Sequence, residues 1–165
     1  MEKQFFSASP GQLLNRYVVE VLNGHRIHSI EELFDRKYVD HHPLCLPGLP
    51  KPPPDSWSGI REIRTLVNLL SSPAIDFYVT IEDVIESNGK IGYRMFGEGT
   101  VDTGFRDDAM GTVRESVPGQ TNARSSTVGR RMTLNGLVHY QYECIGIFRT
   151  HQGRLIERWG IQNFI

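Results

Sequence analysis

Tyr140, Tyr142, Cys144 and Gly146 stand at every second position of one stretch rich in aromatic and β-branched residues. Alternate side chains of a strand share a face, so these four would form one wall of a cupped pocket. A tyrosine there packs its ring and offers a hydroxyl to an oxygen that gains negative charge. Cys144 would act as a nucleophile only with a base beside it, and otherwise packs as a buried thiol. Carboxylates could move protons. Asp40 closes a short extended segment, and Glu98 lies between Gly97 and Gly99. Against apolar walls either would hold its proton more tightly and exchange it near neutral pH. Asp40 could equally cap a turn before His42-Pro43, and Glu98 could sit on a solvated rim. Arg94 could steady an enolate oxygen or simply pair with one of them. His41 and His42 are adjacent, so on an extended segment they point to opposite faces, with no third ligand evident. No metal and no cofactor are expected.

The elements that must position these groups are legible as periodicities. Leu14, Tyr17, Val18, Val21 and Leu22 have helical spacing, and Asn23-Gly24 ends the pattern, so a helix is expected over 11–23. Ser29 with Glu32 reads as a capping box opening a second helix over 29–36. Ser58 can cap a third over 58–71, with Ile60, Ile63, Val67 and Leu70 on one stripe. Strands are expected over 75–86, 90–101, 132–150 and 154–164, with turns at Asn88-Gly89 and at Gln152-Gly153. The prolyl-rich run 44–55 cannot be regular structure, and Trp57 beside it is expected at the pocket mouth. The polar stretch 104–130 is expected to be a lid. Helices first and antiparallel strands after predict an α+β fold, a curved sheet wrapped over N-terminal helices. The outer face of the last hairpin, with Leu137, Ile145, Ile147, Leu155 and Trp159, is too apolar to be fully solvated.

With 165 residues the chain reads as a single domain over 1–165. Apolar content of 39%, charged content of 22% and a net charge of -1 fit a globular protein without a nucleic-acid or anionic-membrane surface. No run reaches the roughly 20 apolar residues of a membrane span, and no signal-peptide pattern opens the chain. With Cys45 and Cys144 alone there is no disulfide framework, so a cytoplasmic protein is expected.

Several segments, taken in order, resemble a known family: Tyr38-Val39-Asp40-His41, Ser58-Gly59-Ile60-Arg61, Ile81 to Ile85, Gly99-Thr100, Gly129-Arg130-Arg131, and Ile147 to Trp159. Over about residues 12–164 the chain is similar to the SnoaL-like polyketide cyclases of the nuclear-transport-factor-2-like superfamily. The resemblance implies a cone-shaped fold, a homodimer formed through the sheet, and cofactor-free acid–base chemistry on a hydrophobic small molecule. It implies a pocket residue at Asp40, with Tyr38 and His42 beside it. It places Arg94, Phe96 and Glu98 on the face where epoxide-hydrolase relatives carry an Arg and an Asp. It also implies an acid where Gly160 stands and a polar residue where Gly146 stands, which leaves space for a bulkier substrate. Arg158 and Gln162 flank Gly160, and Tyr140, Tyr142 and Cys144 line the neighbouring strand. The implied activity is cyclisation or isomerisation of a polyketide-derived or polycyclic intermediate, by epoxide opening or ring closure, with Asp40, Glu98, Arg94 and Tyr142 catalytic. A non-catalytic protein binding an apolar ligand is the alternative.

Overall fold

Ser9 opens the first helix by a capping box: its hydroxyl accepts from the Gln12 amide at 3.2 Å, and Gln12 Oε1 accepts from the Ser9 amide at 2.9 Å. The computed structural model describes residues 8–43, 59–102, 133–134 and 137–164. Helix α1 runs Pro10–Arg16 and continues as a π-helical turn over Tyr17–Leu22, where Asn23 N–H reaches Val18 O, five residues back. The expected helix over 11–23 is therefore two kinds of helix. Helix α2 spans Ile27–Leu33, and strand β1, Phe34–Asp40, follows it at once. Ser29 is not its cap. The hydroxyl lies inside the helix and donates to Glu20 Oε2 at 2.7 Å. Helix α3 is Ile60–Leu70, capped by Gly59, and turns Ile63, Val67 and Leu70 inward as the stripe predicts.

The strands are β2 Ile75–Ser87, β3 Lys90–Asp102, β4 Thr133–Leu134, β5 Leu137–His151 and β6 Arg154–Phe164. They form one sheet in the order β1-β6-β5-β3-β2, with β4 paired to β5. Asn88-Gly89 and Gln152-Gly153 take positive φ in pairs, as two-residue hairpin turns require. The all-antiparallel expectation is corrected at one edge, where β1 pairs with β6 in parallel. The sequence marks 38–42 only as a brief extended segment, and a strand that leaves a helix without a loop gives no turn signal.

One face of the sheet is covered by the helices. Phe77, Val79, Ile91, Met95, Phe148 and Leu155 from the sheet meet Leu14, Val21, Leu33 and Val67 in a continuous core. Irregular pairing shifts the register at two places in the antiparallel part of the sheet. Glu82 is an extra residue in β2 between Ile81 and Asp83. A second shift at Arg149/Thr150 turns Leu155 into the core at 0% exposure, which corrects its expected place on the outer face. Among the described residues no helix is long and apolar enough to cross a membrane. Trp57 and the 104–130 stretch lie outside the described residues.

Candidate functional site

The parallel pairing of β1 on β6 sets Asp40 directly beside Arg158. Both are buried, at 8% and 2% exposure. Arg158 Nη1 donates to Asp40 Oδ2 at 3.0 Å and Oδ1 at 3.2 Å, and to the His42 carbonyl at 2.7 Å. Its Nε donates to the Tyr93 hydroxyl at 2.7 Å and its Nη2 to Cys144 Sγ at 3.3 Å. A buried charge survives only when partnered in this way. Burial works against the guanidinium charge, but Tyr93 and Asp40 outweigh it and hold the proton well above the usual arginine range. Asp40 is equally occupied: it also accepts from the His42 amide at 3.1 Å and from the Tyr38 hydroxyl at 3.4 Å. No lone carboxylate edge is left to it.

A second carboxylate faces this cluster and was not singled out by the sequence. Glu62, on α3, has both oxygens buried and neither with a hydrogen-bond partner. Burial pushes its carboxyl up to about 7; the Asp40 charge adds to that and the Arg158 guanidinium opposes it. Tyr17, from the start of the π turn, lies within the same field, and its phenol is pushed above its ordinary value by burial. The one sequence signal for Glu62 was its place beside the apolar stripe of α3, four residues before Leu66.

The hydroxyl of Tyr93 accepts from Arg158 and keeps its own proton for a further acceptor, since burial pushes the phenol up despite the guanidinium. Tyr93 was also missed, for a reason of parity. Directly paired residues share a face, and Tyr93 pairs with Gly146, Met95 with Cys144, Gly97 with Tyr142 and Gly99 with Tyr140. The inward set of β3 is thus the odd-numbered one. Arg94 pairs with Ile145 and Glu98 with Gln141, on the outer face, where both are exposed. Arg94 donates there to Asp83 at 2.7 Å and to Glu143 at 3.3 Å. The expected placement of Arg94, Phe96 and Glu98 in the pocket is corrected accordingly.

The other expected residues divide. Tyr38, Cys144, Arg158 and Asp40 are joined in one hydrogen-bonded cluster. His42 joins it through its backbone alone; its side chain is exposed, which corrects a side-chain role. Tyr142 is 1% exposed, stacked on Phe77 with centroids 5.7 Å apart, and feels the Arg158 charge, without a hydrogen bond joining it to the cluster. The hydroxyl of Tyr140 is buried and has no hydrogen-bond partner. Gln162 lies opposite Cys144 across β5 and β6. The space expected at Gly146 is filled: a Cβ there would collide with the Tyr93 hydroxyl and stand 2.6 Å from the Trp159 carbonyl. At Gly160 a Cβ would be 3.2 Å from Arg158 Nη2. A tyrosine and an arginine thus occupy the ground that side chains at these two positions would take. Among the described residues no three His, Cys, Asp or Glu side chains come together to hold a metal.

This α+β architecture is shared by solved structures that match it along nearly the whole chain, SnoaL-like polyketide cyclases among them. A candidate polyketide cyclase, IdmH from Streptomyces antibioticus, superposes with a TM-score of 0.60 at 16% identity, over 94% of this chain and 92% of that one. TsrD from Streptomyces laurentii gives a TM-score of 0.58 at 16% identity, over 92% and 86%. An LEH-like epoxide hydrolase from M. tuberculosis gives 0.52 at 10% identity, over 90% and 78%. No family model matches the chain, and no curated protein does. At these identities the likeness is one of fold.

Proposed function

We propose that the chain is a cofactor-independent cyclase or isomerase for an apolar, carbonyl-bearing small molecule of polyketide type, working by general acid–base catalysis. The observation that carries this reading is Glu62: a partly buried side chain whose two oxygens have no partner, poised near neutrality within the field of the saturated Asp40–Arg158 pair. Two groups with contrasting environments divide the labour. Asp40 fixes the guanidinium. Glu62 is free to accept a proton.

In the step envisaged, the Glu62 carboxylate takes a proton from carbon beside the substrate carbonyl. The C–H electron pair moves into the carbonyl, and its oxygen becomes negative. The Tyr93 O–H and the unused N–H of Arg158 Nη2 steady that oxygen. The enolate then either attacks a second carbonyl carbon, closing a ring as that C=O pair moves to its oxygen and takes the proton from Glu62, or takes the proton back at a different carbon, shifting a double bond. The candidate polyketide cyclases among the structural neighbours support this class of substrate. Asp40 remains in the site as a positioning residue rather than the base.

The test is turnover of polyketide intermediates by the purified protein and its variants. Glu62→Gln keeps shape and removes the base, and should lower kcat by about 10²–10⁴-fold. The wild-type rate should rise with pH through about 7, as Glu62 loses its proton. A Glu62→Gln protein with undiminished turnover would remove the proposal. Tight binding of an intermediate without conversion by the wild type would replace it with the ligand-binding reading.

A further inference from the structure

We propose that the hollow enclosed by α2, α3, β1 and β6 is an anion-binding site, which takes a phosphate or carboxylate group independently of the interior cluster. The hollow has a volume of about 290 Å³ and is lined by Glu31, Phe34, Arg36, Ile60, Arg64 and Arg154. That is near the lower end of ligand sites, which run from roughly 300 to 1,000 Å³. Three guanidinium groups and one carboxylate leave two positive charges in excess.

The backbone builds the hollow. From Phe34 to Val39 the β1 strand takes five steps, while its partner goes only from Leu155 to Glu157, two steps along β6. The surplus arches away from the sheet and carries Arg36 to the rim. The carboxylate next to it in sequence, Asp35, is turned back onto the Lys37 amide at 2.8 Å. Arg36 has no ion pair or hydrogen bond among the described residues.

The other two cations are held in place. Arg154 Nη1 donates to the carbonyls of Glu31 at 2.8 Å and Phe34 at 3.1 Å, so its head is fixed while its remaining N–H groups stay available. Arg64 is tethered to the Glu31 carboxylate through Nη2. Its Nε, however, is buried and has no acceptor. An unpartnered charged donor is costly, so Arg64 gains if its head turns outward to an oxyanion in the hollow. A solvated ion-pair network would explain the Arg64–Glu31 contact. It does not explain a buried donor left empty beside a free arginine. Ile60, partly buried, gives the hollow an apolar edge, where an organic group carrying the anion could rest.

The experiment is calorimetric titration of the full chain with inorganic phosphate and, separately, with acetate, at low ionic strength. Saturable one-to-one binding of either anion supports the site, and the preferred anion names the ligand chemistry. Arg36→Gln removes an exposed, unpaired cation without touching the fold. It should weaken binding about tenfold, as loss of a charge-assisted contact does. Glu31→Gln removes the one carboxylate among the described lining residues and should tighten binding, and both effects should shrink as salt is added. Absence of saturable binding by both anions, or an affinity unchanged in Arg36→Gln, would overturn the proposal.

Discussion

Glu62 is ionised above neutral pH at a place where the fold gives it no partner, and stability must register that. A free carboxyl of this type titrates at 4.5, and in the folded chain it holds its proton to about 7. Below 4.5 both states are protonated and nothing is lost. Between 4.5 and 7 the unfolded chain releases the proton first, so stability falls as pH rises, and it stays low above 7. The group is only partly buried, so the loss is about 1–2 kcal/mol. Glu62→Gln should therefore melt at the same temperature at pH 8 as at pH 5, apart from changes common to both proteins, whereas the wild type drops by about 2–5 °C. Parallel melting curves for the two proteins would contradict this. Asp40→Asn should behave differently. It leaves the buried Arg158 charge half-compensated and should cost about 3–5 kcal/mol at neutral pH, read as a lower denaturant midpoint. The sequence made Cys144 visible as an inward position of a recognisable strand, whereas Asp40, Tyr38 and Arg158 were reached only through the family resemblance. It hid Glu62, since a carboxylate on a helix is ordinarily solvated. It misdirected Arg94 and Glu98, since nothing in their types says which parity of β3 faces inward. The neighbours did say it: Tyr93 and Met95 are the apolar members of that strand, and Gly97 and Gly99 leave room for the tyrosines of β5.

That exchange of glycine for tyrosine is a device of the sheet as an element. Tyr142 lies over Gly97, Tyr140 over Gly99 and Tyr93 over Gly146, each pair directly opposed on adjacent strands. A Cβ on Gly97 would overlap the ring of Tyr142, which is already packed face to face with Phe77. Gly97→Ala should thus destabilise by about 1–3 kcal/mol through overpacking. A denaturant midpoint equal to that of the wild type would show that the ring can yield. At the far edge of the sheet no strand lies beyond β2 among the described residues, and Asn23 caps that edge at Val79. Its side chain accepts from the Val79 amide at 2.9 Å and donates to the Val79 carbonyl at 2.8 Å. The π turn that ends at Leu22 fixes where Asn23 falls. Asn23→Ala should cost about 1–3 kcal/mol, since it leaves part-buried backbone groups unpaired. Four long strands and α3 were legible because period and turn chemistry agree there. The parallel β1 edge, the π turn and the two register shifts were not. Each depends on contacts with elements distant in sequence, which local spacing does not encode.

The outer face of the sheet raises a question that belongs to the whole molecule. Ile145 sits opposite Ile161, and Ile147 opposite Trp159, across β5 and β6. Ile145 is 55% exposed, Ile147 44% and Ile161 71%, so the apolar surface is continuous over two strands rather than scattered. Beside it, on β3, Arg94 is bound to Asp83 and Glu143, which supplies a charged border. An apolar centre inside a polar rim is the anatomy of a protein interface. We propose that two copies of the chain pair through this face. Because the paired patch would be the same on both copies, each substitution acts twice at the interface. Ile161→Asp would set two carboxylates into the apolar centre. The side chain is largely free in the single chain, so the variant should fold and melt as a monomer. Light scattering at micromolar concentration should give twice the chain mass for the wild type and a single chain mass for Ile161→Asp. A wild-type protein that stays monomeric over that range would rule the pairing out. The interior cluster lies on the opposite face of the same strands, so pairing would also stiffen β5 and β6 behind Cys144 and Arg158.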